Sequence, residues 1–481
     1  MTRLRLAGAD TFRSLRIRNF RLFFIGQFVS QMGNWLTLVA QALFVLRLTD
    51  NGVMLGGLLA AQFAPVLLIG PWAGLVSDRS DKRRLLLMVS VIAMVQSAVL
   101  AALAFHGSPP IIALYAVALV GGITVAFDNP ARRSFVVEMV PEDLTTNAVS
   151  LNSALMTGAR VVGPAIAGLL ITTVGFGWCF ALDALSYVAV LITFGRMRTS
   201  ELRVSSPAAK GKGMVRDGLR YARSVPALWI PLVMMAILGT LSFNFQIVFP
   251  LFVTRDLGGT VATYTTLFSV VSLGALAGAL VAARRGIPTV RTVSIAAMGF
   301  GAALGVVSLA PSAGFAFPIG LLVGFASISF LTTSTSIIQL RAAPEMRGRV
   351  LAMQAMVFLG STPIGGPILG AICEVFGARF GVALGALAAM GAGGWGLLRS
   401  GDLGDDPGTA EREEVASTGV HVDALATDPV AAIASSPRLD PPVITVGSVA
   451  AGVRAEVAPA ELAPADQGTS LAPSRGEDEA A

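Results

Sequence analysis

The chain has 481 residues, of which 54% are apolar and only 13% charged. Soluble domains are roughly a quarter charged, so an ordinary soluble protein is excluded. Two cysteines (Cys179, Cys373) and two histidines (His106, His421) also exclude a disulfide framework, a zinc cluster or a histidine-held metal. The net charge of +6 hides a split: residues 401–481 hold 15 acids against 4 arginines, a net of −11, and residues 1–400 carry +17.

In chain order, six arginines (Arg3, Arg5, Arg13, Arg16, Arg18 and Arg21) accompany the start of the first apolar run. That run exceeds the apolar core of a cleaved leader and shows no convincing small-residue cleavage site, so it reads as a retained membrane segment. A bilayer-crossing helix needs about 20 mostly apolar residues. Twelve runs qualify: 20–47, 53–77, 84–105, 111–128, 147–173, 178–196, 227–253, 261–283, 290–310, 315–339, 350–373 and 377–399. They predict an all-α membrane protein with twelve spans in two six-helix bundles. The expected map is a first bundle at 1–196, a linker at 197–226, a second bundle at 227–399 and a tail at 400–481.

The linker is polar and basic. Within it, Met214, Leu219, Tyr221 and Val225 roughly oppose Arg216, Arg220 and Arg223, which reads as a short amphipathic interfacial helix. The tail is rich in Pro, Ala, Gly, Ser and acids without an apolar period, and reads as disordered. Either an inert appendage or a regulatory segment fits it.

With the N-terminus cytoplasmic, 27 bases fall on the cytoplasmic side and three (Arg47, Arg255, Arg379) outside, with Arg160 inside a span. This is the bias that orients membrane proteins. It places both termini in the cytoplasm and explains the basic excess without nucleic acid. The halves also repeat at an offset near 203. Pro141-Glu142 recurs as Pro344-Glu345, Gly163-Pro164 as Gly366-Pro367, Gly74-x-Val76 as Gly278-x-Leu280, and Gln41 as Asn244. Transporters built of two related six-helix units hold their site between them.

Between spans 2 and 3 the sequence GLVSDRSDKRR (74–84) resembles the loop motif of the major facilitator superfamily, Gly-x-Leu-Ala-Asp-Arg-x-Gly-Arg-Arg, with Val76, Ser77 and Asp81 substituted. The resemblance implies a cytoplasmic latch of Gly74, Asp78, Arg79, Lys82 and Arg83. Asp78 would face the positive N-terminal end of span 11, and Lys82 or Arg83 would reach Asp128 or Glu138 at the end of span 4. Plain charge-directed topology is the simpler account of these bases. The second copy has Ala282 at the Asp78 position, followed by Arg284-Arg285. In span 5, GARVVGPAIAGLL (158–170) resembles the superfamily's Gly-Pro-x-x-Gly-Gly element of antiporters, carried by Gly163, Pro164 and Gly168 and echoed at Gly366 and Pro367. Small residues permit close packing and proline bends a helix.

Three further strings, SLRIRNFRLFFIGQFVSQMGNWLT (14–37), FDNPARRSFVVEMVPEDL (127–144) and PEMRGRV (344–350), resemble the enterobactin-exporter-like and multidrug-efflux branch. That resemblance covers residues 12 to about 398. It implies bundles rocking about a central cavity and the export of amphipathic small molecules, usually against protons, from a bacterial cytoplasmic membrane. In this superfamily helices 1, 4, 7 and 10 line the cavity. Many of its exporters carry an acid in span 1, and this chain has none there.

Polar residues inside a bilayer are functional candidates. Gln27, Gln31, Asn34 and Gln41 share one face of span 1, joined by Asn244 and Gln246 of span 7 and Thr333 and Thr335 of span 10. Phe24, Phe28, Trp35, Phe243 and Phe245 offer an apolar wall. Arg160 lies near mid-membrane, where a lone arginine costs at least about 2.5–3.5 kcal/mol. An anionic substrate, an ion pair or bonds to span-1 amides and carbonyls each account for it. Asp183, about 7.5 Å into span 6 at 1.5 Å per residue, is the proton-coupling candidate, with a hydrogen-bonded structural acid the alternative.

The sequence therefore predicts a secondary exporter of small amphipathic molecules, such as drugs or siderophore-like compounds. No phosphate-loop motif, catalytic set, cofactor or metal site is present. The expected partners are the lipid bilayer, the substrate and protons, and the chain is expected as a monomer. A lysophospholipid flippase or importer on the same fold remains open, as does a non-transporting membrane sensor or scaffold acting through the tail.

Overall fold

In the computed structural model, residues 12–203, 214–282 and 288–401 are described. They contain twelve helices long and apolar enough to cross a membrane. Spans 1 to 6 are Arg18–Thr49, Gly52–Arg79, Lys82–His106, Ile111–Glu138, Glu142–Thr173 and Phe176–Gly195. Spans 7 to 12 are Pro226–Asp256, Val261–Val281, Val290–Ser308, Ala313–Arg341, Pro344–Phe376 and Ala378–Gly401. No strand occurs among the described residues. Arg3, Arg5, residues 204–213, Arg284, Arg285 and the tail from 402 lie outside them.

Local chemistry sets the tight turns. Span 1 closes at Asp50, which takes a left-handed φ of 44° while its N–H returns to the Leu46 carbonyl. The next residue, Asn51, caps span 2 by accepting from the Val53 and Met54 amides at 2.8 and 3.1 Å. Asp81 caps span 3 by accepting from Arg84 N at 3.0 Å. Gly175 (φ 92°) and Gly377 (φ 88°) turn the chain into spans 6 and 12. They occupy equivalent places in the two halves, where a side chain would be strained.

The same symmetry governs packing. Span 1 packs on span 6, 2 on 4, 3 on 4 and 3 on 6. Their counterparts do likewise: 7 on 12, 8 on 10, 9 on 10 and 9 on 12. Two exchanged contacts join the halves, span 2 with span 11 and span 5 with span 8. The first is backbone-close, because a Cβ on Gly56 would strike the Gly366 carbonyl and one on Gly370 the Gly52 carbonyl. In the second, Gly168 lies against the Thr265 side chain.

Two elements depart from the predicted spans. Span 4 continues ten residues beyond 128, through Pro130, to Glu138. Ala131, Arg132, Phe135 and Val136 continue its buried face, and burial keeps the segment helical. Asp128 is therefore internal to the helix, and Arg132 belongs to the bundle instead of a loop. Span 7 breaks at Ser242–Asn244 and resumes as Phe245–Leu251 and a π-helical turn, Phe252–Asp256. The linker helix runs Met214–Ser224. It is tied to the second half where Ala343 N donates to the Tyr221 hydroxyl at 2.9 Å and Arg349 meets Asp217 at 3.9 Å.

Candidate functional site

A cavity of about 360 Å³ lies between the halves. Its two walls differ in chemistry. Spans 1 to 6 contribute Gln27, Gln31, Asn34, Gln62 and Gln96, together with Asp128, Arg132, Arg160 and Asp183. The second half contributes Phe243, Phe245, Phe268, Phe358 and Leu359, with Asn244, Gln246 and Thr362. All the charged lining residues thus belong to the first half, which also presents Trp35, Phe63 and Tyr187, and the second half sets four phenylalanines opposite them. Those rings support one another: Phe243 and Phe358 meet edge-on at 5.2 Å, and Trp35 of span 1 reaches Phe268 at 6.0 Å.

The polar wall is wired internally. Arg132 pairs with Asp128, one turn earlier on span 4. Gln31 presents its carboxamide oxygen to the same guanidinium. Asp183 is buried, and its Oδ2 accepts from Thr37 Oγ1 at 2.6 Å and Ser97 Oγ at 2.7 Å. The residue ties spans 1, 3 and 6 together. It is also among the residues that line the cavity. Arg160 stacks over Trp35, its guanidinium carbon 5.9 Å from the ring centroid.

Five residues expected at the cavity do not line it: Phe24 packs against Phe20, Phe28 is exposed, and three polar residues are bonded elsewhere. Gln41 is buried and donates to the Leu114 carbonyl at 3.4 Å, bridging spans 1 and 4. Thr333 and Thr335 return their hydroxyls to the Ser329 and Leu331 carbonyls of their own helix, at 2.6 and 2.8 Å. Phe243, which does line the cavity, packs against fully buried Phe330 of span 10 at 6.3 Å. The aromatic layer therefore covers span 10, and spans 2, 3, 5, 6, 8 and 11 supply lining that the helix 1, 4, 7 and 10 pattern does not include. Asn244 faces the cavity, but its amide nitrogen also donates to the Gly239 and Thr240 carbonyls at 3.1 and 2.8 Å, bonding the broken end of span 7.

The loop-motif residues divide. Lys82 and Glu138 form a buried ion pair at 2.6 Å, closing the start of span 3 on the end of span 4. Arg83 Nε donates to the Phe194 carbonyl at 2.9 Å. Asp128, expected as a partner of these bases, pairs with Arg132 instead, because the longer span 4 carries it to the cavity. Asp78 and Arg79 are exposed, as are Pro344 and Glu345 at the start of span 11. The expected contact between Asp78 and that helix end is not formed. Gly74 has open space where a Cβ would point, whereas Gly163 lies directly against Trp35. Pro164 and Pro367 sit inside their helices.

At the Gly52 end the halves are clamped. Arg255 reaches Glu374 at 3.0 Å and the Asp50 carbonyl at 2.5 Å, while Glu374 accepts from Gly52 N at 2.8 Å. The cavity lining lies around mid-span, and Asp78 is exposed at the opposite end of span 2.

Twelve spans, mirrored packing and a two-walled central cavity define a transporter of the major facilitator type. A family model described as "Transmembrane secretion effector" matches residues 9–400, and the chain belongs to that family. It is 25% identical over 363 residues to the staphyloferrin A transporter of Staphylococcus aureus, a match covering 74% of this chain and 90% of that protein. It is 26% identical to macrolide efflux protein A of Streptococcus pyogenes, covering 72% and 87%. Against the multidrug efflux pump Tap of Mycolicibacterium fortuitum it is 23% identical, again covering 72% and 87%. Among solved structures, it overlays a bacterial homolog of the human lysosomal transporter Spinster with TM-score 0.59 at 16% identity, covering 79% and 94%. A POT family transporter in complex with a thioalcohol-conjugated peptide overlays with TM-score 0.67 at 10% identity, covering 80% and 97%. These overlays are likenesses of fold.

Proposed function

We propose that this protein is a secondary active exporter of small amphipathic molecules in a bacterial cytoplasmic membrane, working by alternating access and driven by protons. The observation that carries the reading is a cavity whose charges all lie on one wall and face an uncharged wall bearing four phenylalanines. Such a site receives a molecule with one polar and one apolar face. The relatives named for macrolide and multidrug efflux favour the outward direction.

The end bearing Asp78 is the cytoplasmic one, since the bases concentrate there. The halves are then clamped on the outer side, and in this reading the conformation is the inward-facing one. In the opposite state Asp78 meets the start of span 11, where a carboxylate complements the helix dipole. Asp183 carries the proton. Its place against spans 1 and 3 lets protonation alter how those helices pack.

Cells expressing the protein and loaded with lipophilic dyes test this reading. They should empty faster than control cells, and a protonophore should remove the difference. Asp183→Asn should lose energised efflux while still reaching the membrane and binding dye. Efflux that ignores the protonophore, or an Asp183→Asn protein as active as wild type, would contradict proton coupling through this residue.

A further inference from the structure

We infer that the polar end of the solute is an anion, best met by a compact amphipathic carboxylate, with Arg160 as its counter-charge. The inference rests on the exporter reading and narrows its substrate class. It comes from comparing the bases buried in the first half. Lys82 has Glu138 and Arg132 has Asp128. Arg18, Arg132 and Arg160 each bury a guanidinium nitrogen without a hydrogen-bond partner, but Arg18 is not among the cavity-lining residues and Arg132 has Asp128, which leaves Arg160. Arg160 lines the cavity without an acid, and its Nε is the buried atom with no hydrogen-bond partner. Both lining acids are already engaged, Asp128 by Arg132 and Asp183 by Thr37 and Ser97.

The stacking on Trp35 does not consume the guanidinium. A cation over a ring uses its flat face, while the five N–H groups lie in the plane and point outward at its edge. That edge is suited to the two oxygens of a carboxylate. Gly163 fixes the arrangement by bringing span 5 hard against the Trp35 stem. The apolar body of the solute then falls to Phe243, Phe245 and Phe268 on the opposite wall. A volume of about 360 Å³ is at the small end for such sites, which run roughly 300–1,000 Å³, and suits a ring-bearing acid better than a lipid.

Three probes that share a ring and differ in charge test the assignment: naphthylacetate, naphthylacetamide and naphthylmethyltrimethylammonium. Binding to the purified full-length protein is read by the quenching of tryptophan fluorescence and by calorimetry. Wild type should prefer the anion to the amide by about tenfold or more, the scale of a charge-assisted bidentate contact. Arg160→Gln should lose that preference while binding the amide as before, and Arg160→Lys should keep part of it. Equal binding of the three probes by wild type, no saturable binding of the anion, or an unchanged preference in Arg160→Gln would overturn the assignment. Flux of the same probes in proteoliposomes separates the two readings. If none moves, the exporter reading fails. If the amide and the cation move and the anion has no advantage, only the anion assignment fails.

Discussion

Lys82 and Glu138 show what the loop motif does in this conformation. Both side chains are 7% exposed, and a charge so placed is tolerable only with its partner. Glu138→Ala should destabilise the first half by about 3–5 kcal/mol, because the Lys82 ammonium is left buried without its acid. Replacing both with apolar residues should restore most of that loss. Thermal unfolding in detergent reads the effect, and the single variant melting with wild type would contradict it. The sequence made this pair legible, since a base at the start of one span and an acid near the end of its neighbour suggest each other. It misplaced Asp128, because periodicity alone did not carry span 4 past Pro130. Gln62, Gln96 and Thr37 were equally hard to single out. An amide or hydroxyl on a mostly apolar helix reveals its partner only when another span packs against it.

Among elements, the proposed alternating access turns on the contact of span 2 with span 11. Gly52, Gly56, Gly366 and Gly370 let two backbones touch, and the Arg255–Glu374 pair covers the end of that seam. Gly56→Leu would drive a side chain into the Gly366 carbonyl and should wedge the seam apart. Spin labels at Val53 and Val375, both exposed, would report it, with buried Cys179 and Cys373 as quiet background. The distance between the labels should lengthen or broaden in Gly56→Leu, and an unchanged distribution would contradict a gating role for this seam. The repeat was visible in the sequence as matched prolines and glycines. Its consequence, that 2 with 11 and 5 with 8 are the exchanged contacts, needed the packed helices, because sequence spacing does not say which helices meet across the halves. The break in span 7 was hidden for a similar reason. Ser242-Phe243-Asn244 reads as continuous apolar helix until Asn244 is seen bonding the freed carbonyls of Gly239 and Thr240.

In the whole molecule, the separation of chemistry between the halves is the property from which function follows. The first half holds every charge in the cavity lining, and the second sets four phenylalanines and no charge against it. Rocking the halves about the clamped seam would carry a two-faced solute across the membrane and break its contacts with both walls together. Hydropathy was enough for the twelve spans. The two-walled cavity was only half legible, because span 1 announced its amides while Arg132, Phe268 and Phe358 gave no sign of facing it. The central claim is gradient-driven transport through that cavity. Its most direct measurement uses purified full-length protein in sealed liposomes, with an imposed pH gradient and a panel of lipophilic dyes and drugs. Flux should follow the gradient, reverse when the gradient is reversed and be lost in Asp183→Asn. The absence of gradient-dependent flux for every compound in the panel, from protein shown to be folded and inserted, would contradict the account.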